Sequence, residues 1–333
     1  MHNNIIMLDF LSNESWLRPQ IDYLLFLQNL RLHVGPVFDS FFMCMTKFGE
    51  LALPTLVISL IYWCFDFKSG IYMFTLNSLG LLVAQFLKMT ACVYRPWILS
   101  DKIKPVDAAF RFAPGYSFPS GHSMTASSVW GGVAYLLAKK HKFWCISLVL
   151  LILMVGFSRN YLGVHTPQDV FVGLLTGLIL VFVINYLIDW CEKDKNRYLY
   201  LMAGLNVIVF ANLFYILTKS YPVDYLNGEI LVKPQKGMYI SVLYTGWILG
   251  LSNGTFLCRR FFPFDPKRMS KKTRITIGVI GTALLAVLLS IIETQFFDIH
   301  RSYPVTLGFV FLIGFIITAV YPFIFTRFLK NRD

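Results

Sequence analysis

Beyond residue 50 the chain consists of long apolar runs separated by short polar intervals, the pattern of a protein whose solvent is lipid. Nine of these runs are predicted to be membrane-spanning helices, near residues 51–66, 70–88, 122–138, 143–158, 168–189, 197–217, 239–258, 275–296 and 303–326. A span needs about 20 residues to cross the hydrocarbon core. Residues 21–48 are different, because Arg31, His33, Asp39 and Lys47 interrupt the Leu and Phe positions. They are predicted to form amphipathic helices lying on the membrane surface, broken at Gly35-Pro36. Residues 1–20 carry Asp9, Glu14, Arg18 and Pro19 without a basic-then-apolar order. No cleavable signal peptide is expected there, so insertion falls to the first spanning helix.

Composition agrees with this pattern. Of 333 residues 56% are hydrophobic, 17% aromatic and only 14% charged, and the mean hydropathy is +0.60; a soluble domain needs more charge to cover its surface. The six cysteines (Cys44, Cys64, Cys92, Cys145, Cys191, Cys258) lack paired spacing, so they read as ordinary apolar or interfacial residues. A net charge of +12 raises nucleic acid as a partner. No aromatic–basic binding pattern accompanies it, and basic residues in membrane proteins collect in cytoplasmic loops. No nucleic-acid partner is expected.

The same rule orients the chain. One set of loops carries Lys68, then Lys139, Lys140 and Lys142, then Lys193, Lys195 and Arg197. It continues through Arg259, Arg260, Lys267, Arg268, Lys271, Lys272 and Arg274 to Arg327, Lys330 and Arg332. That side holds 17 of the 30 basic residues and is predicted to be cytoplasmic, together with the C-terminus. The N-terminus then faces the extracytoplasmic or luminal side.

Three short constellations fall on that outer side. Lys88-Met-Thr-Ala-Cys-Val-Tyr-Arg95-Pro96 ends the second run, Pro119-Ser120-Gly121-His122 opens the third, and Ser158-Arg159-Asn-Tyr-Leu-Gly-Val-His165-Thr-Pro-Gln-Asp169 links the fourth to the fifth. Each has a plain reading alone: snorkelling anchors, a helix start, an interfacial histidine. Together they bring three cations, two histidines and one carboxylate to one face of one bundle, and ionisable residues at membrane depth are costly and tend to be functional.

This set has the logic of phosphoryl transfer. Lys88, Arg95 and Arg159 can surround the charged oxygens of a phosphate. Gly121 admits close approach of the backbone, the N–H groups at the start of the third helix point at an anion, and Ser120 adds a hydroxyl. His165 is the expected nucleophile. Thr166-Pro167 has the form of a helix start, so Asp169 returns towards the imidazole to fix its tautomer. His122 remains to protonate the leaving oxygen and then to activate water. The sequence has no compact Asp/Glu/His cluster to hold a metal, and neither metal nor cofactor is expected.

In this order the motifs resemble the K-x6-RP, PSGH and SR-x5-H-x3-D pattern of the type 2 phosphatidic acid phosphatase (PAP2) family, relatives of the vanadium haloperoxidases and of glucose-6-phosphatase. The likeness covers about residues 40–190. It implies an all-α integral membrane protein with amphipathic interfacial helices over 1–50, a catalytic helical bundle over 51–190, and further spanning helices over 191–333. It also implies metal-independent hydrolysis, with His165 as nucleophile, His122 as general acid, and Lys88, Arg95, Ser120, Gly121 and Arg159 on the phosphate. Ordinary members have six spans. Nine spans with the N-terminus outside look more like glucose-6-phosphatase and sphingosine-1-phosphate phosphatase.

A site at the membrane boundary favours a phosphorylated lipid as substrate: phosphatidate-like, sphingoid or polyprenyl diphosphate. A soluble sugar phosphate, a lipid phosphotransferase reaction, and a transporter or inactive receptor-like relative are the alternatives. A transporter should show an internal repeat or paired broken helices, and an inactive relative should lack motif residues. Outside the motifs, Glu293, Thr294, Gln295, Asp298, His300 and Arg301 form either a headgroup lining or a solvated helix end, and loop 218–238 is a candidate lid. The sequence leaves the oligomeric state open. The orientation is tested by cysteine labelling at Lys271→Cys. Reagent should reach it only from the cytoplasmic side, and labelling from outside inverts the topology.

Overall fold

The structure, a computed structural model, describes residues 14–138, 141–194, 196–226, 228–262, 264–296 and 302–330. Helices α1 (Glu14–Val34) and α2 (Pro36–Thr46) break where Gly35 adopts φ +80° and Pro36 opens the next helix, as the residue types require. A 3-10 turn (Lys47–Gly49) leads to α3 (Ala52–Leu60), which ends in a π turn (Ile61–Phe65). Then come α4 (Phe67–Ala91), the short α5 (Pro96–Leu99) and α6 (Asp107–Arg111), and α7 (Gly121–Leu137), α8 (Lys142–Tyr161), α9 (Pro167–Glu192) and α10 (Arg197–Thr218). A hairpin of β1 (Tyr225–Leu226) and β2 (Glu229–Ile230) precedes α11 (Pro234–Phe261), α12 (Lys271–Phe296), α13 (Tyr303–Phe315), a second π turn (Ile316–Val320) and α14 (Tyr321–Lys330).

All nine predicted runs lie on helices. Among the described residues, six helices are long and apolar enough to cross a membrane: Phe67–Leu99, Lys142–Tyr161, Pro167–Glu192, Arg197–Thr218, Lys271–Ile292 and Tyr303–Thr326. A seventh results if Pro36–Gly49 and Ala52–Phe65, bent by 49°, form one broken span. The expected nine exceeds this count for a physical reason. Helix α7 has 17 residues and buries Ser123, Thr125, Ser127 and Ser128, while α11 interrupts its apolar run with Gly, Ser, Asn and Thr. Large apolar side chains face outward on α8 (Phe143, Trp144, Leu150) and α9 (Phe171, Leu175, Leu178), where lipid rather than water is the solvent. The protein is a multi-pass integral membrane protein. Several residues used above lie outside the described set: residues 1–13, Lys139, Lys140, Lys195 and Arg332, and from the polar cluster Asp298, His300 and Arg301.

Two compact units divide the chain. The first gathers residues up to 50, 83–179 and 216–238; the second takes 51–82, 180–215 and 239 onward. In the first, α9 meets α7 through Gly173 and Gly177. A Cβ on Gly173 would lie 2.6 Å from the Ser120 carbonyl oxygen, and one on Gly177 would overlap Ser127 Oγ and lie 2.6 Å from the Met124 carbonyl. Small residues four apart let helix backbones touch in a membrane. With the backbones this close, the Ser120 N–H donates to the Asp169 carbonyl at 2.9 Å, joining the starts of both helices. Helix α1 is fastened to the same place. The Gln168 N–H donates to Gln20 Oε1 at 3.0 Å, and Gln20 Nε2 and Trp16 Nε1 donate to Gln168 Oε1 at 3.2 and 2.6 Å.

The second unit uses the same device. Gly246 and Gly250 of α11 pack on the Leu307 and Phe311 carbonyls of α13. Carbonyls of the second π turn serve as acceptors, Ile317 for Trp63 Nε1 (3.0 Å) and Thr318 for the Tyr62 hydroxyl (2.8 Å). Asn206 and Asn253 exchange amide hydrogen bonds of 3.2 and 3.1 Å between α10 and α11.

The glycine contact predicts an outcome. Gly177→Ala should lower stability by about 1–3 kcal/mol, read as a fall in melting temperature in detergent. Adding Ser127→Ala should recover only part of the loss, because the Met124 carbonyl stays in place.

Candidate active site

Every residue singled out by the three motifs lies in the first unit. The centre is His165, in the turn between α8 and α9 and 2% exposed. That turn is short because Gly163 adopts φ +74° and because Asn160 Nδ2 donates back to the His165 carbonyl at 2.9 Å. The five residues between Arg159 and His165 are thus a built loop.

Arg95 Nη1 lies 2.9 Å from His165 Nε2. A guanidinium only donates, so Nε2 is the unprotonated, accepting nitrogen. The ring proton then sits on Nδ1, 3.2 Å from Asp169 Oδ2. The same oxygen accepts from the Ser117 hydroxyl (2.5 Å) and the Thr166 N–H (2.9 Å). The Asp169 N–H faces Thr166 Oγ1 at 3.4 Å, so Thr166 and Asp169 form a reciprocal cap at the start of α9. One carboxylate therefore starts the helix and orients the imidazole. Burial, then the charges of Arg95, Lys88 and Arg159, hold the His165 pKa well below the ordinary histidine value, since each penalises the protonated ring.

The three cations divide the work unevenly. Lys88 directs its ammonium to three carbonyls, those of Tyr116 (3.0 Å), Ser117 (3.0 Å) and Pro119 (3.1 Å). It thereby holds the segment leading into α7 and acts on the site as a charge. Arg95 donates to Gly115 O (3.3 Å), Pro114 O (3.3 Å) and Val164 O (2.8 Å) besides His165. Arg159 is 3% exposed and donates to Thr46 Oγ1 of α2, while its Nε is buried without a hydrogen-bond partner among the described residues. Of the three, Arg159 keeps the most donor capacity for a ligand.

Ser120 caps α7, its Oγ accepting from the Ser123 N–H at 3.3 Å. A Cβ on Gly121 would meet no protein atom within 4 Å, so neighbouring protein does not require a glycine there, and the helix start stays open to an anion. His122 has its backbone against Gly49 and interacts electrostatically with Arg159, Arg95, Lys88 and His165. Sequence reasoning missed Ser117, Thr46 and Asn160. Ser117 lies three residues before Ser120, outside every motif, and Thr46 is 113 residues from Arg159. No local periodicity marks either.

Fold and site define a multi-pass helical membrane protein with a buried, cationic histidine centre. Residues 69–193 match the PAP2 superfamily, and residues 242–332 match the transmembrane extension of PAP2 superfamily phosphatases. All three motifs fall inside the first match. Phosphatidylglycerophosphatase B of Bacillus subtilis is 40% identical over 112 residues, 31% of this chain and 52% of that protein. Undecaprenyl-diphosphatase of Sulfolobus acidocaldarius is 40% identical over 68 residues, 20% of this chain and 32% of that protein. Glucose-6-phosphatase catalytic subunit 1 of Haplochromis xenognathus is 30% identical over 205 residues, 52% of this chain and 71% of that protein. The chain belongs to the PAP2 superfamily. It spans about half the length of the first of these relatives and about a third of the second.

The loop before His165 yields a prediction. At Gly163 a Cβ would lie 3.1 Å from Pro105 Cα, in a backbone conformation that costs an L-residue about 1–2 kcal/mol. Gly163→Ala should lower unfolding free energy by at least that amount in denaturant titration.

Proposed function

We propose that the chain is a membrane phosphatase that hydrolyses a lipid phosphate or diphosphate ester through a phosphohistidine, at a site on the extracytoplasmic or luminal face. One observation carries this reading: His165 Nε2 presents its lone pair to Arg95, with the charges of Lys88 and Arg159 acting on the ring, while Nδ1 faces Asp169. A bound phosphate draws Arg95 off Nε2 onto its own oxygens, with Arg159, the Ser120 hydroxyl and the N–H groups at Gly121 beside it. Nε2 then attacks phosphorus, the bond to the leaving oxygen breaks, and His122 protonates that oxygen. The positive charge formed on His165 is stabilised by Asp169. In the second half, His122 takes a proton from water, the water oxygen attacks phosphorus, and the P–N bond breaks to release phosphate. The cations neutralise charge on the transferring group without a metal ion in any step.

Phosphorylated lipids are favoured because the site sits among membrane helices, and two of the relatives are named for lipid phosphate or diphosphate hydrolysis. A sugar phosphate is the second reading, supported by the glucose-6-phosphatase match, which covers 71% of that protein.

Phosphate release from a panel of phosphatidate, phosphatidylglycerophosphate, sphingoid phosphate, polyprenyl diphosphate and glucose 6-phosphate, with EDTA present, tests both readings. Lipid turnover should persist in EDTA and vanish in His165→Ala; glucose 6-phosphate as the sole substrate selects the second reading. The pH profile gives a further outcome. The nucleophile must be neutral, and its pKa is lowered, so the acid limb of kcat/KM should fall below the ordinary histidine value of about 6.5. An acid limb above that value would contradict the assignment.

A further inference from the structure

The segment between α10 and α11 lies outside both stretches that match the superfamily, yet it packs within the first unit. Its attachments converge on the end of α4, the helix that carries Lys88 and leads to Arg95. Lys219, just past α10, donates from Nζ to the carbonyls of Met89 and Thr90, both at 2.7 Å, and lies 3.4 Å from Cys92 Sγ. These carbonyls belong to the last turn of α4, where a helix has no internal donors for them and where a positive charge suits the helix dipole. The cap matters because α4 ends with Cys92 at φ +52°, a left-handed conformation that a residue other than glycine adopts at a cost.

Further attachments lie on either side. The Tyr94 hydroxyl donates to Asp224. Tyr221 stacks on Tyr116 with ring centroids 6.5 Å apart, and the Tyr116 carbonyl is one of the three that hold Lys88. Gln85 Nε2 donates to the Gly237 carbonyl at 2.8 Å, and Gly237 lies so close to Met89 that a Cβ there would strike its sulfur. Each attachment meets a residue within four positions of Lys88, or next to Arg95 or Ser117.

We infer that Lys219 is a positioning residue: by capping α4 it fixes the backbone from Lys88 to Arg95, and so makes the segment between α10 and α11 part of the phosphate site's support. The inference rests on the reading of that site as phosphate-binding. Lys219 touches no reacting atom. It acts through the α4 backbone, and the Tyr94–Asp224 bond holds the next turn of chain in the same frame. An arginine at 219 keeps the charge and the donors, whereas a methionine keeps only the bulk.

The experiment uses the full chain purified in detergent, with two independent readouts. In Lys219→Met, amide hydrogen exchange over residues 88–95 should rise while residues 155–170 keep wild-type protection, and the melting temperature should hold. Turnover of the best lipid phosphate should fall roughly ten- to hundredfold, the scale of loss from a misplaced catalytic group. Inhibition by inorganic phosphate should weaken with it, and Lys219→Arg should restore both. Wild-type exchange over 88–95 in Lys219→Met overturns the proposal, as does a loss that Lys219→Arg leaves unrepaired. If Lys219→Met does not fold, Lys219→Gln decides: without the ammonium charge it should raise exchange over 88–95, and unchanged exchange rejects the inference. A wild-type protein that releases no phosphate from any substrate sinks the phosphatase reading, and the exchange data still judge Lys219.

Discussion

Three cations within one bundle, Arg95 and Arg159 buried and Lys88 partly so, with few carboxylates beside them, have to be solvated by the protein itself, and backbone carbonyls do most of this. Lys88 takes those of residues 116, 117 and 119, and Arg95 those of 114, 115 and 164. A carboxylate in their place would neutralise the charge and compete with an anionic ligand. Carbonyl dipoles hold a cation while leaving its formal charge in place. The irregular chain between α6 and α7 has its course because its oxygens must turn towards Lys88 and Arg95.

The imidazole depends on this arrangement from the other side. His165 is neutral in part because the cations around it resist a further positive charge, and its tautomer follows from facing a donor at Nε2 and a carboxylate at Nδ1. Asp169 is in turn held by the Thr166 N–H and the Ser117 hydroxyl. Ser117 also offers its carbonyl to Lys88, so one serine links the cation to the carboxylate that orients the histidine.

How much of this could be read in the chain depends on how local each contact is. The Thr166-Pro167 helix start, Asp169 one turn after His165, and the break at Gly35-Pro36 are set by neighbours in sequence, and the structure has all of them. Thr46 on Arg159 and Gly173 and Gly177 on α7 are contacts between distant segments, and no residue near them in sequence announces a partner. The expected nine spans exceed the six or seven helices that are long and apolar enough among the described residues for a related reason. Apolar runs reveal which segments are helical, but α7 and α11 direct serine, threonine or asparagine inward, and composition alone does not separate lipid-facing from bundle-facing positions. Lys219 was hidden for the opposite reason, because a lysine after a helix end is ordinary until its carbonyl partners are seen.

The contact of α9 with α7 at Gly173 bears on how such a site can diversify. On that side α9 presents backbone alone, and only the small side chains of Ser123 and Ser127 face it from α7. That side cannot be retuned by single substitutions without parting the helices. Any change in the shape of the site has to arise away from this contact.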